Sequence, residues 1–231
     1  MVRWQAIGAA NNAHWCDVVV RSHGGHGACA DDAWTSPTRT PSLFPDAVTL
    51  IPSPHVPDLL GRIDTSPGCT IKDSFASLDL HADGFRVLFD AQWIWSPAHL
   101  DSAWSVSEDW TAMTDRGGLD LWEEAWSHDN DPKGLFLPEL LSEGILVLGR
   151  IEKGRVVAGG ILSRTVDAVG ISNVFTKVGQ ATGTWAALAQ AARIWSPDLP
   201  LIGYEQGEEL AHAQSGGFHA AGALRVWIAH T

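Results

Sequence analysis

The chain is short of positive charge: 15 lysines and arginines stand against 27 aspartates and glutamates among 231 residues, a formal net charge of −12. Binding to a nucleic-acid backbone requires Lys and Arg gathered on one face, and no such cluster occurs, which excludes nucleic acid as a partner. Only three cysteines are present, Cys16, Cys29 and Cys69, too few and too scattered for a disulfide framework, and a reducing compartment follows. No apolar run approaches the roughly 18 residues of a membrane span. The opening MVRWQAIGAANN lacks a signal-peptide core. The expectation is a cytoplasmic protein that makes no use of a membrane.

Catalytic signatures are sparse too. There is no Gly-x-Ser-x-Gly elbow and no Gly-x4-Gly-Lys-Ser/Thr phosphate loop. His23, His26 and Cys29, followed by Asp31 and Asp32, are zinc-ligand types, but glycines surround them and no second Cys or His pair lies at finger spacing, so no metal is expected. The run Asp129 to Gly134 lacks the closing glutamate of a calcium loop and reads as a turn.

What is abundant is apolar residue, 45% of the chain, enough for one large domain or two small ones. The last third is the most legible part. Arg155 to Ile161 and Ala168 to Thr176 are rich in β-branched residues without clean alternation, which predicts two central strands joined by a polar turn. A stretch with Gly179 and Gly183 then leads into the alanine-rich run Ala186 to Trp195, a strong helix former. A glycine loop feeding a helix start offers unpaired backbone N–H groups to an anion, or is an ordinary strand-to-helix turn. Leu199 to Glu205 reads as a buried strand, Glu208 to Gln214 as a short helix, and Leu224 to Ile228 as a closing strand behind Gly217-Phe218.

This order resembles the C-terminal half of the GCN5-related N-acetyltransferase (GNAT) fold. The resemblance implies a mixed α/β (α+β) protein with a central, mostly antiparallel twisted sheet flanked by helices. It further implies a strand whose backbone holds the pantetheine arm of acetyl-CoA, here Asn173, Val174, Phe175 and Thr176. A Gln/Arg-x-x-Gly-x-Gly/Ala loop around the pyrophosphate falls on Gln180, Ala181, Thr182, Gly183, Thr184 and Trp185. Two positions depart from the pattern. Trp185 replaces a glycine or alanine, and its indole would shield the loop, stack on the ligand or fill the site. Ala213 stands five residues before Phe218, where many members carry a tyrosine that protonates the leaving thiolate.

Upstream, Asn12 to Ser22 has a short amphipathic helical pattern behind an asparagine N-cap, Gly27 to Pro45 reads as a loop, and Ala47 to Ile51 as a strand. Asp58 to Asp64 suits a helical turn, Thr70 to Leu80 fits helix or strand, and Phe85 to Trp95 is a strand. Gly84-Phe85 matches Gly217-Phe218, so residues 1–84 form an extension or a degenerate half-repeat of the domain at 85–231. From Ser105 to Ser127, Trp110 and Met113, then Leu119, Trp122 and Trp126, predict two helices broken at Gly117-Gly118. Leu135 to Leu141 and Ile145 to Ile151 lead back into the sheet. Of the twelve tryptophans, Trp93, Trp95, Trp110, Trp122 and Trp126 are either core packing or the wall of an aromatic acceptor pocket.

The resemblance implies acetyl transfer from acetyl-CoA to an amine, a small molecule or a peptide N-terminus, by direct attack on the thioester. The base would be Glu205 at the end of its strand, or Tyr204 beside it, since adjacent strand residues face opposite ways and at most one points into the site. The alternative is a GNAT-like binding or regulatory module without catalysis. The acidic composition favours a cationic acceptor.

Overall fold

The computed structural model describes residues 2–98, 109–128, 132–142 and 144–230. Contacts divide the chain into two units, Met1–Trp93 with Ala221–Thr231, and Ile94–Ala220. Five α-helices and a largely antiparallel sheet occur among the described residues.

The first unit opens with α1, Val2–Ser22, ten residues longer at its start than the apolar spacing predicts. Its small residues explain the extension. Gly8 lies under the Trp93 ring, where a Cβ would stand 2.6 Å from the indole. Asn12, expected to cap the helix, is instead buried inside it, and its Oδ1 accepts a 2.8 Å bond from Lys72 Nζ. The predicted loop after α1 contains β1 (Ala28–Cys29) and β2 (Ala33–Thr35), followed by β3 (Ala47–Thr49), α2 (Val56–Leu60) and β4 (Thr70–Asp73). The ambiguous run from Thr70 is therefore a strand that stops at Asp73, whose carboxylate accepts from the Phe75 and Leu78 N–H groups and turns the chain. β5 (Phe85–Ser96) and, much later, β11 (His219–Ala229) each begin in one unit and end in the other. Strand order here is β1-β2-β3-β4-β11-β5, with only the β3–β4 pair parallel among the registers seen. Ile71, Leu80, Phe85, Leu59 and Trp227 fill its core.

In the second unit, β6 (Trp110–Ala112) precedes α3 (Arg116–Trp126), whose N-cap Asp115 accepts the Gly118 N–H at 2.8 Å. Trp110 and Met113 do not form the expected helix: β6 pairs with β7 (Ile145–Glu152), and the Met113 N–H donates to Val147 O. Between them, Leu135–Leu141 supplies a single 3-10 turn, Pro138–Leu140. β8 (Arg155–Arg164), β9 (Val169–Thr176), α4 (Ala181–Trp195), β10 (Leu201–Glu205) and α5 (Gly207–Ser215) follow. The order is β5-β10-β9-β8-β7-β6. Residues 156–163 of β8 are buried without a break, as a strand covered on both faces must be. α4 and α5 enclose one core on Leu162, Ile171, Trp185, Leu188 and Phe218.

α3 covers the other face through a hollow cut by glycine. Gly149 and Gly159 are cross-strand partners. Added Cβ atoms would stand 2.7 Å from Met113 Cε and 2.5 Å from Trp122 Nε1 respectively. The Trp122 indole fills this notch and donates to Leu148 O at 2.8 Å. Gly160, the next residue, admits Leu188 from the opposite side.

Candidate active site

The site begins as a fault in the β8–β9 ladder. Ile161 opposes Ser172 and Gly159 opposes Phe175, so Asn173 and Val174 together face Gly160. One residue too many is a β-bulge, and Asn173 absorbs it at φ 53, a left-handed conformation that asparagine tolerates better than most residues. Main-chain groups of Asn173 and Val174 are thereby released from regular pairing with β8. On its other edge β9 pairs in parallel with β10 only at Val169–Leu201 and Gly170–Ile202. Gly203 passes so close that a Cβ would stand 2.8 Å from Ile171 O. Beyond that point both strands continue, to Thr176 and to Glu205, without pairing. A wedge therefore opens between β9 and β10, lined on one side by the bulge.

α4 begins where β9 ends. Lys177 and Val178 N–H groups both donate to Val157 O, Gly179 turns at φ 94, and Gln180 is the N-cap, its side chain making no capping bond. α4 starts at Ala181, five residues before the alanine run predicts, and its first-turn N–H groups have no intrahelical acceptor beyond the Gly183 and Thr184 bonds back to Gln180 O. Gly183 is exposed, and a Cβ there would meet nothing within 4 Å. Thr184 is buried, and its hydroxyl accepts a 2.8 Å bond from Thr176, tying helix to strand. Trp185 points away from the loop altogether. Its fully buried indole packs edge-on to Phe218 with ring centroids 5.2 Å apart. It neither shields nor fills the loop.

Glu205 and Tyr204 are both half-buried at the tip of β10. Burial first, and the Glu209 carboxylate second, push the Glu205 carboxyl up to about 8 against the opposing Gln206 main-chain N–H. A carboxyl poised near neutrality at the mouth of a cleft is suited to taking a proton from a substrate.

No family model and no curated protein matches this sequence. Solved structures do. A GCN5-related N-acetyltransferase from Kribbella flavida superposes over 96% of this chain and 95% of its own, with TM-score 0.64 and 13% identity. A GNAT-family protein from Novosphingobium aromaticivorans covers 94% and 99% (TM-score 0.58, 14% identity), and a GCN5-related N-acetyltransferase-like protein from Streptococcus suis 99% of each (0.53, 16%). The chain has the GNAT fold. Of the expected loop Gln180 to Trp185, Gln180 is the N-cap and Ala181–Trp185 are the opening residues of α4. Ala213 is wholly buried under α4, with its carbonyl accepting the Phe218 N–H, so the position that holds tyrosine in many GNAT proteins is core here.

The candidate tryptophans fall in both units, Trp93 in the first and Trp95, Trp110, Trp122 and Trp126 in the second. Trp93 and Trp122 are fully buried, with indole N–H groups bonded to Ser74 O and Leu148 O. Trp126 stacks on Trp122 at 6.3 Å and meets Phe136 edge-on, while Phe175 meets Trp122 edge-on at 5.2 Å. Trp95 lies against His219, and Trp110 is on β6. Among the described residues no group of three or more His, Cys, Asp or Glu could hold a metal ion, and no helix is long and apolar enough to cross a membrane. All three cysteines are free thiols. The run from Asp129 lies partly outside the described residues. Sequence reasoning missed Arg150, whose guanidinium reaches the Gly179 turn from β7. Its proximity depends on cross-strand geometry that no local pattern encodes.

Proposed function

We propose that this protein is an acyl-CoA-dependent N-acetyltransferase that acts on an amine, a small molecule or a peptide N-terminus. The observation that carries the reading is the wedge between β9 and β10, with its bulge at Asn173 beside an open helix start at Gly183. When bound, acetyl-CoA supplies a thioester whose acetyl carbon takes the amine nitrogen as the C–S bond breaks, the sulfur leaving as thiolate and the nitrogen shedding a proton. Each remaining requirement has a candidate in the chain. Main-chain groups of Asn173, Val174, Phe175 and Thr176 hold the pantetheine arm and orient the thioester carbonyl. Main-chain N–H groups from Gln180 to Trp185 receive the pyrophosphate, with exposed Gly183 giving close approach; Trp185 contributes its backbone alone. Glu205 accepts the proton, directly or through a water. Tyr204, on the opposite face of β10, is the second candidate for proton handling. A cytoplasmic location belongs to this reading and is supported by the three free thiols.

Residues 85–231 are assigned to the acetyltransferase and 1–84 to an extension derived from a worn half. Gly84 and Gly217, both left-handed at φ 84 and 97, each precede a buried phenylalanine that leads into a long strand, which supports the repeat.

One observation favours a non-catalytic module: Ala213 leaves the thiolate without the usual acid. Heating with acetyl-CoA separates the readings. Ligand at about 100 times Kd adds about 2.7 kcal/mol of stability, several degrees in Tm. A shift together with acetyl transfer to amines supports the enzyme, and a shift without transfer supports the module. No shift at millimolar acetyl-CoA sinks the enzyme reading.

A further inference from the structure

Arg150 lies where β7 slips register against β8, at the irregularity between Arg150 and Ile151. From there its side chain crosses to the loop between β9 and α4. Nη2 donates to the Val178 carbonyl and stands 3.2 Å from Glu152 Oε1. Gly179 makes room for it: a Cβ there would lie 3.1 Å from Nη2 and 3.6 Å from Nη1. The glycine thus serves both its left-handed φ of 94 and the guanidinium beside it. Nε is buried without a partner, and Nη1 makes no hydrogen bond to another described residue. The side chain is 24% exposed, so this cation is held largely out of water at the residue before the N-cap of α4.

A chain with 15 basic residues and a net charge of −12 has little reason to desolvate a guanidinium beside a helix start unless an anion completes its bonding. The Gln180 side chain makes no capping bond and the first turn of α4 carries no acid. Glu152, the ion-pair partner of Arg150 among the described residues, lies on β7 and is 43% exposed.

We propose that Arg150 is a phosphate-recognition residue for the pyrophosphate of coenzyme A. This rests on the acyl-CoA reading of the site. Nη2 fixes the loop through Val178 O while Nη1 bonds a pyrophosphate oxygen, and Glu152 is a counter-ion that competes with the ligand for the same cation.

The assignment is tested by calorimetric binding of coenzyme A, 3′-dephospho-coenzyme A and pantetheine to the wild-type protein, Arg150→Met and Glu152→Gln. Only the first two ligands carry the pyrophosphate. Arg150→Met should weaken both about tenfold or more and leave pantetheine unchanged, since a charge-assisted bond to phosphate is lost. Glu152→Gln, which leaves the Val178 bond intact, should tighten both a few-fold, with the gain fading in high salt. If Arg150→Met does not fold, the Glu152→Gln arm decides alone. Equal weakening of all three ligands by Arg150→Met would make Arg150 a loop brace and overturn the assignment. So would unchanged binding by both variants while the wild type binds coenzyme A, an outcome that leaves the acyl-CoA reading standing. A wild-type protein that binds none of the three defeats that reading, and this one with it.

Discussion

Glu205 carries two opposed consequences of a carboxyl held at about 8 when an unfolded chain titrates at 4.5. As a base it works only when ionised. With a weakly basic amine acceptor, kcat/KM should rise about tenfold per pH unit up to about 8 and level off above it. Glu205→Gln should lose that slope and most of the rate while still binding acetyl-CoA; an unchanged pH profile removes Glu205 from the chemistry. For stability, the folded state binds more protons than the unfolded one between those two values. The contribution is therefore intact below 4.5 and is lost as pH rises to about 8. Glu205→Gln should accordingly raise Tm at pH 9 and raise it far less at pH 5, which scanning calorimetry reads directly. Trp185 shows how a motif position can mislead. Its place in the loop is plain in the sequence, but the direction of its side chain is set by Phe218 and Ala213 across the core. Trp185→Ala should cost about 3–5 kcal/mol in urea denaturation. Trp185→Phe should be far milder, because the buried indole N–H has no partner to lose, and its coenzyme affinity should match wild type.

Elements were legible to the degree that their signals are local. β8 and β9 announce themselves because a strand buried on both faces must be apolar along its whole length. α4 is readable from its alanines, yet its first turn hides in residues that otherwise look like loop, and that turn is the part nearest the site. At β6 the three-residue spacing of Trp110 and Met113 fits a helix, yet a three-residue strand with one flanking residue satisfies it equally. Asn12 looks like a helix cap but is buried inside α1, where Lys72, sixty positions away, donates to it. The wedge and the bulge are products of register, and no periodicity reports them. The notch that seats α3 makes a sharp prediction about β8. Gly159→Ala would place a methyl 2.5 Å from Trp122 Nε1 and 2.8 Å from Leu148 O, one of them rigid backbone. It should cost about 1–3 kcal/mol, and a Cm equal to wild type would show that α3 is not seated as described.

Across the whole molecule the excess of 12 negative charges sets the field that an incoming substrate meets. A cationic amine acceptor should lose kcat/KM as salt rises from low concentration to about 0.5 M, while a neutral acceptor should not. Equal salt response of the two would separate the acidic composition from acceptor choice. Strand sharing has a further consequence, in time. Residues 94–220 form one unit from a single contiguous stretch of chain. The other unit is not so placed: Thr70 to Asp73 pair with Arg225 to Ile228, which emerge from the ribosome more than 150 residues later. The edge of β4 that β11 pairs with must therefore wait, unpaired, while everything between Asp73 and Arg225 is made.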